Sequence, residues 1–224
     1  MREFEKQEIN TVRRGGKRAQ YDIETINTIL DVGFVGYIAY VFEGTAISIP
    51  MAYGRSDNQL YFHGSLKNRM LNSLLESSKI SMTVMHLDAL VLARSGLHHS
   101  VNYRSATVFG SVAKVVNTSE KEMALKCIVD HMIDGRWESL RPMLPKELDA
   151  TLVLKMKIET ASAKIRDVGV QDEKADMTLP IWAGLVPLKQ FAEKPISDDL
   201  LPPGTKVPEH VNAYYENNKS NLGI

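Results

Sequence analysis

The chain has 224 residues, 44% of them hydrophobic and 24% charged, which is the composition of an ordinary globular protein of one large or two small domains. Lysine plus arginine equal aspartate plus glutamate at 27 each, so no basic excess points to nucleic acid or to an anionic membrane surface, and any positive patch is local. Cys127 is the only cysteine, which excludes an intramolecular disulfide and cysteine-rich zinc sites and fits a reducing cytoplasm; no apolar run nears the ~20 residues that cross a bilayer, and the charged start has no apolar signal region behind it.

Residues 1–20 are polar and basic around Gly15-Gly16 and read as an extended arm. Asp22 is a good N-cap for a short helix whose buried face is Ile23, Ile26, Ile29 and Leu30. Strands follow. Residues 34–40 are apolar and aromatic, Glu43-Gly44 makes a hairpin turn, and residues 45–53 form the return strand. Ser56-Asp57-Asn58 turns into another strand over 59–63.

The stretch from Tyr61 to Met70 carries the strongest local signal. It reads as a strand end, a tight turn and a helix with Ser65 at its N-cap and Met70, Leu71, Leu74 and Leu75 on its buried face. Lys67 and Arg69 then fall in the first turn, where the helix dipole is already positive and a surface cation costs roughly 0.3–1 kcal/mol. Two readings stand: solvated surface residues, or a seat for an anion, most simply a phosphate.

Residues 79–86 resume the strands, 88–93 are apolar, and 94–102 are polar with Gly96, His98 and His99. A strong strand spans 103–116. Ser119-Glu120-Lys121-Glu122 reads as a capping box for a helix to Met132, and a short helix follows over 145–150. Residues 151–168 make one long strand, 171–177 an acidic loop and 181–188 a last strand. The proline-bearing tail, 191–224, wraps the surface. Antiparallel strands with two or three inserted helices predict a mainly β fold, a barrel with helices at its ends, formed by residues 21–190.

There is no G-x-G-x-x-G after a strand, no P-loop, no H-E-x-x-H and no G-x-S-x-G. His98-His99 with His86 and His63 are possible metal ligands, but adjacent residues of an extended chain point apart, which favours one histidine at a ligand pocket and no metal site. Tyr103-Arg104-Ser105 is either a solvated strand start or a set of ligand contacts. Trp182 is either core or a flat wall for an aromatic ring.

These motifs in this order resemble a family: Ile49-Pro50-Met51-Ala52-Tyr53, then Leu60-Tyr61-Phe62-His63-Gly64-Ser65 with Lys67 and Arg69, then Leu92-Ala93-Arg94-Ser95 with His98-His99-Ser100, Asn102-Tyr103-Arg104-Ser105 to Phe109-Gly110, and Ile181-Trp182-Ala183-Gly184 to Leu188. From about Thr11 to Leu188 the chain resembles the pyridoxamine 5′-phosphate oxidase-like flavoproteins, in the branch related to nitroimidazole-resistance reductases. The resemblance implies an FMN-binding split β-barrel and a homodimer with FMN between subunits. Lys67 and Arg69 would grip the phosphate, with Ser65 and Asn68 in support. Pro50, Met51, Ala52 and Tyr53 would run along the isoalloxazine ring, with His63, Ser105 and Trp182 near it, Trp182 from the other subunit.

Vitamin B6 oxidase activity is not implied, because no arginine follows Trp182. The expectation is an FMN-dependent oxidoreductase of a small organic substrate, with His98, His99 or Arg104 polarising it. Alternatives are a flavin carrier without a substrate, a haem-binding split barrel with histidine ligands, and a structural barrel with an empty groove.

Overall fold

The computed structural model describes residues 2–77 and 79–220; the end of the tail, 221–224, lies outside them. Nine strands form one antiparallel sheet: β1 (Ala19–Gln20), β2 (Val35–Phe42), β3 (Thr45–Ala52), β4 (Gly54–Ser56), β5 (Gln59–Ser65), β6 (Ile80–Leu92), β7 (Ser100–Lys114), β8 (Thr151–Arg166) and β9 (Gly184–Pro187). The main path runs β3-β2-β6-β7-β8-β5-β4, with β1 beside β8 and β9 beside β6. The helices are α1 (Ile23–Val32), α2 (Arg69–Glu76), α3 (Thr118–Met132), α4 (Pro145–Ala150) and α5 (Glu209–Asn218). This is the expected mainly β fold, a split barrel whose sheet stays open between β3 and β4.

Alternation builds it. Along β2, Ile38 and Tyr40 turn inward while Val35, Tyr37 and Val41 stay exposed. The β2–β3 turn places Glu43 (φ 48) and Gly44 (φ 76) both in the left-handed region, as the twist of a two-residue hairpin requires. The interior is filled by Ile26 and Leu30 of α1, Leu71 and Leu74 of α2, and Phe62, Met82, Leu154 and Met156 of the strands. Each such side chain contributes about 1.5–3 kcal/mol on full burial. A second cluster lies under α3, where Leu125 and Ile128 meet Tyr61 and Val153. There α3 rests directly on β4: a Cβ on Gly54 would stand 2.6 Å from the backbone nitrogen of Ile128.

The carbonyls at the C-terminal end of α1 are taken up by side chains, as a helix end requires. The Tyr53 hydroxyl lies 2.5 Å from the Leu30 carbonyl oxygen and 2.8 Å from that of Gly33. His131 Nε2 meets the Gly33 carbonyl at 2.7 Å and His86 Nε2 that of Ile29 at 2.9 Å.

Several boundaries differ from the sequence reading. Residues 79–86 and 88–93 lie on one strand, β6, because an irregularity between Leu87 and Ala89 accommodates Asp88 without ending the pairing. The cap of α3 is Asn117, whose Oδ1 accepts from Glu120 N at 3.0 Å, so the helix begins at Thr118 rather than after Ser119. The arm is not merely extended. Buried Asn10 donates to the Thr160 hydroxyl at 2.6 Å and the Ala161 carbonyl at 3.1 Å, and β1 pairs with β8. The acidic loop contains a 3-10 turn over Lys174–Thr178. The tail contains α5, for which Pro208 ahead of Glu209 was the available signal. No helix is long and apolar enough to cross a membrane among the described residues.

Candidate functional site

At the end of β5 the chain turns through Leu66 and Lys67 into α2. The N-cap is Asn68, not Ser65: Asn68 Oδ1 accepts from Leu71 N at 3.0 Å. Ser65 is the last residue of β5, and its Oγ still accepts from Lys67 N at 3.3 Å. Lys67 therefore stands in the turn before the helix and Arg69 is its first residue. Met70, Leu71 and Leu74 are buried and fix this end against the barrel.

No acidic residue lies in the first turn of α2. Among the described residues neither Lys67 nor Arg69 has a carboxylate partner. The Arg69 guanidinium lies 4.3 Å over the Phe42 ring, and its Nη2 is 3.5 Å from the Tyr40 hydroxyl. The Arg69 guanidinium, the Tyr40 hydroxyl and the α2 N-terminus meet there, with exposed Lys67 in the adjoining turn, and the arrangement can take an anion with several oxygen atoms.

Next to this corner runs β3, an end strand of the sheet, so its outer edge offers unpaired backbone groups. Pro50 pairs with Tyr37 and Met51 with Gly36. Tyr37 precedes Tyr40 by three residues on the same strand, which is about 10 Å. An elongated ligand with its anion at Arg69 would thus have Pro50, Met51 and Ala52 along its length. Tyr53 differs from these. It is fully buried, its amide donates to the Phe34 carbonyl at 3.2 Å, and burial pushes its phenol pKa up. Only its carbonyl remains for a ligand. His63 sits two residues before Ser65 on the same face of β5 and is exposed, and loss of solvation holds its pKa below the usual imidazole value.

The other predicted residues lie elsewhere. Arg104 pairs in Cα register with His86 on β6, and its guanidinium clasps Asp88, with Nη2–Oδ1 at 2.8 Å and Nε–Oδ2 at 3.1 Å. That hydrogen bond raises the Arg104 pKa. Ser105 points to the opposite face, and its Oγ donates to the Lys164 carbonyl at 3.2 Å. His98 and His99 stand at the β6–β7 turn, about 17 Å along β7 from Arg104. The three residues expected to polarise a substrate therefore do not form one cluster within the chain.

His98 closes a 3-10 turn over Gly96–His98, not an extended chain, and the two histidines have different partners. His98 Nε2 is 3.6 Å from Glu173, while His99 Nδ1 is 2.9 Å from the Ser95 carbonyl. Beside them Arg94 holds Asp172 through both its amide (3.1 Å) and its Nη1 (2.8 Å). Burial alone would raise the Asp172 pKa, but the Arg94 hydrogen bonds hold it below the usual carboxylate range. Trp182 is 66% exposed and packs back over Gly184, which pairs with Leu92. The length of β6, about 40 Å, separates Leu92 from the strand end near Tyr40, so Trp182 and Arg69 do not meet within one chain.

Sequence reasoning missed Tyr40 and Phe42, which seat Arg69, and the acids Asp88 and Asp172, which occupy two arginines. Asp88 had a signal: it is a lone acid within the apolar run from Leu87 to Leu92.

Residues 22–165 match the family model described as pyridoxamine 5′-phosphate oxidase. Among solved structures, the flavocytochrome Anf3 from Azotobacter vinelandii is 32% identical, with TM-score 0.88 over 93% of this chain and 97% of that one. A protein described as FAD and heme binding from Mycobacterium smegmatis is 31% identical, with TM-score 0.84 over 88% and 97%. A candidate 5-nitroimidazole antibiotic resistance protein from Bacteroides thetaiotaomicron shares the fold at 20% identity, with TM-score 0.56 over 66% and 86%. No curated protein matches the chain.

Proposed function

The chain belongs to the pyridoxamine 5′-phosphate oxidase family, and from that premise we propose that it is a flavin-binding redox protein that also carries haem, a flavocytochrome. The observation that carries the flavin half is the corner of α2. Lys67 and Arg69 lack carboxylate partners among the described residues and would hold the riboflavin 5′-phosphate group common to FMN and FAD, with Ser65 and the Asn68 turn in support. The backbone of Pro50, Met51 and Ala52 would line the ring along the open edge of β3. The flavin supplies the redox chemistry, and these residues bind and orient it.

The haem half rests on the extent of similarity. The family model stops at residue 165, whereas two relatives described as flavocytochrome or as FAD and heme binding are similar over about nine tenths of this chain. Part of the chain beyond residue 165 is thus common to it and both relatives. Imidazoles with an open nitrogen are available for iron, since His63 and His99 each leave at least one ring nitrogen without a protein partner among the described residues.

A homodimer completes the proposal. Val35, Tyr37 and Val41 of β2 and Met85 and Leu87 of β6 leave one apolar outer face exposed. A second copy covering it would also be the means of bringing Trp182 to a flavin held by the first.

An absorption spectrum of the freshly purified protein, before and after denaturation, tests the proposal. Flavin bands together with a haem Soret band are the expected result. Flavin without haem would leave the narrower reading, an FMN-dependent oxidoreductase of a small organic substrate. A colourless protein that takes up neither added FMN nor FAD would overturn the proposal.

A further inference from the structure

Apart from the α2 corner, we infer that the chain has a second oxyanion site, built on Arg166 with Arg18 and Lys164, which takes a phosphate group of an organic ligand. Arg166 closes β8 and is only 4% exposed. An arginine keeps its charge in a protein, and a buried charge needs compensation. Yet its bonds go to neutral acceptors: Nη1 donates to Asn102 Oδ1 and, at 3.2 Å, to the Val168 carbonyl. Asn102 is itself buried and tied back to Val168, its Nδ2 donating to the carbonyl at 3.1 Å and its Oδ1 accepting from the amide at 3.4 Å. The guanidinium is therefore held in place through Nη1 alone. Nε and Nη2 make no hydrogen bond among the described residues and are not sealed from solvent. Those two atoms form one edge of the fork, the edge that grips two oxygens of an anion side by side.

The neighbours add positive charge. Lys164, two residues earlier on β8, shares the face of the sheet that Arg166 occupies. Its ammonium lies against the turn at Gly15, where a Cβ would stand 3.6 Å from Nζ. The 3-10 turn Gly16–Arg18 follows, and Ala19 behind it pairs with Lys164. Burial first, and then the nearby Arg18 charge, lower the Arg166 pKa. Among the described residues Arg18, Lys164 and Arg166 close no ion pair, and neither does Asp167, the next residue in the chain.

Three cations around one open fork exceed what a single carboxylate balances. A phosphate monoester carries about −1.5 to −2 charge at pH 7 and three acceptor oxygens, and it suits them. Tyr103 on β7 is in register with Arg166 on one side and with exposed Leu87 on the other, so the organic part of the ligand would leave across Tyr103. The site is also distant from the α2 corner. From Ser81, beside Ala39, to Leu87, beside Tyr103, is six residues of β6, about 20 Å. Within one chain a single 5′-phosphate does not serve both. The second phosphate belongs either to a dinucleotide held by a second copy or to a separate phosphorylated substrate, and the site itself does not depend on the flavin reading.

Calorimetric titration with inorganic pyrophosphate, and with acetate as a monocarboxylate, tests this. In the Lys67→Ala, Arg69→Ala variant, which lacks the α2 corner, pyrophosphate is expected to bind once per chain and acetate at least about tenfold more weakly. In that background Arg166→Gln should abolish binding. Because it also frees Asn102, Arg18→Gln and Lys164→Gln, on partly exposed side chains, are the decisive variants, each expected to weaken pyrophosphate by about fivefold or more at an unchanged thermal midpoint. In the wild-type protein, binding blocked by saturating FAD but not by FMN would assign the phosphate to a dinucleotide, and binding undisturbed by either would assign it to a separate substrate. The inference is overturned if the α2-corner variant binds no pyrophosphate, if acetate binds as tightly, if FMN blocks the site, or if Arg18→Gln and Lys164→Gln leave the affinity unchanged.

Discussion

The two ends of the barrel treat charge in opposite ways. At the β6–β7 end two arginines have acids, Arg94 holding Asp172 and Arg104 holding Asp88, while Nη1 of buried Arg166 is taken up by Asn102 and the Val168 carbonyl. At the α2 end Lys67 and Arg69 have none among the described residues, although the helix dipole and the neighbouring cations make that the costlier place to leave positive charge. A paired arginine joins segments of the fold. The Arg94–Asp172 pair fastens the segment before Trp182 to the β6–β7 turn, and Arg104–Asp88 secures the irregular point of β6. An unpaired cation at a helix N-terminus offers its charge outward. The contrast separates stabilising charges from binding ones, and substitutions at the two ends should divide accordingly.

The largest expected effect is at the unpaired end. A hydrogen bond to a charged group is worth about 1.5–3 kcal/mol. Removing two of them in a Lys67→Ala, Arg69→Ala variant should weaken flavin binding at least about a hundredfold. Its thermal midpoint without flavin should stay near wild type, because neither side chain closes an ion pair among the described residues. Fluorescence quenching of FMN and a thermal melt read the two quantities, and a large loss of stability would blur the comparison.

The next effect belongs to the core between the ends. Tyr53→Phe should cost about 1–2 kcal/mol of stability in a denaturant melt, because the carbonyls of Leu30 and Gly33 lose a buried donor. It should leave flavin affinity unchanged, since the phenol faces away from the proposed site. At the paired end, Arg104→Ala should cost about 1 kcal/mol, the modest value of a partly exposed ion pair, again with little change in flavin affinity. Loss of flavin with no loss of stability would return Arg104 to the binding set.

Much of this was legible in the sequence. Tyr61 to Met70 named the strand end, the turn and the two cations, because small polar residues ahead of an apolar helical repeat leave few alternatives. The cap was misplaced by three residues because Ser65 and Asn68 both suit the position, and only the length of the turn decides between them. Tyr53 was expected along the ring and instead caps α1, because a tyrosine at a strand end can face a ligand or a helix terminus and the sequence does not tell these apart. The partners of Arg94 and Arg104 were hidden for another reason. Arg94 and Asp172 are 78 residues apart, and no local pattern reports such a contact. Helix α5 carries few apolar residues and buries none of them, so it left almost no periodic signal.

The smallest effect concerns pH. His63 titrates below the usual imidazole value because it is partly desolvated. A phosphate bound near Ser65 would favour the imidazolium and raise that pKa. The protonated protein then binds more tightly, so FMN affinity should rise as pH falls between the His63 pKa of the complex and that of the free protein, by less than about tenfold. Histidine resonances followed by NMR with and without FMN check this, and an unchanged or lowered His63 pKa would place the phosphate elsewhere.

The most direct test of the central claim is a calorimetric titration of the flavin-free protein with FMN and, separately, with riboflavin. If the α2 corner grips the 5′-phosphate, FMN should bind at least about a hundredfold more tightly than riboflavin, the loss expected for two charge-assisted contacts. Equal affinities would contradict the account, because the unpaired cations at Lys67 and Arg69 would then have no part in holding the flavin.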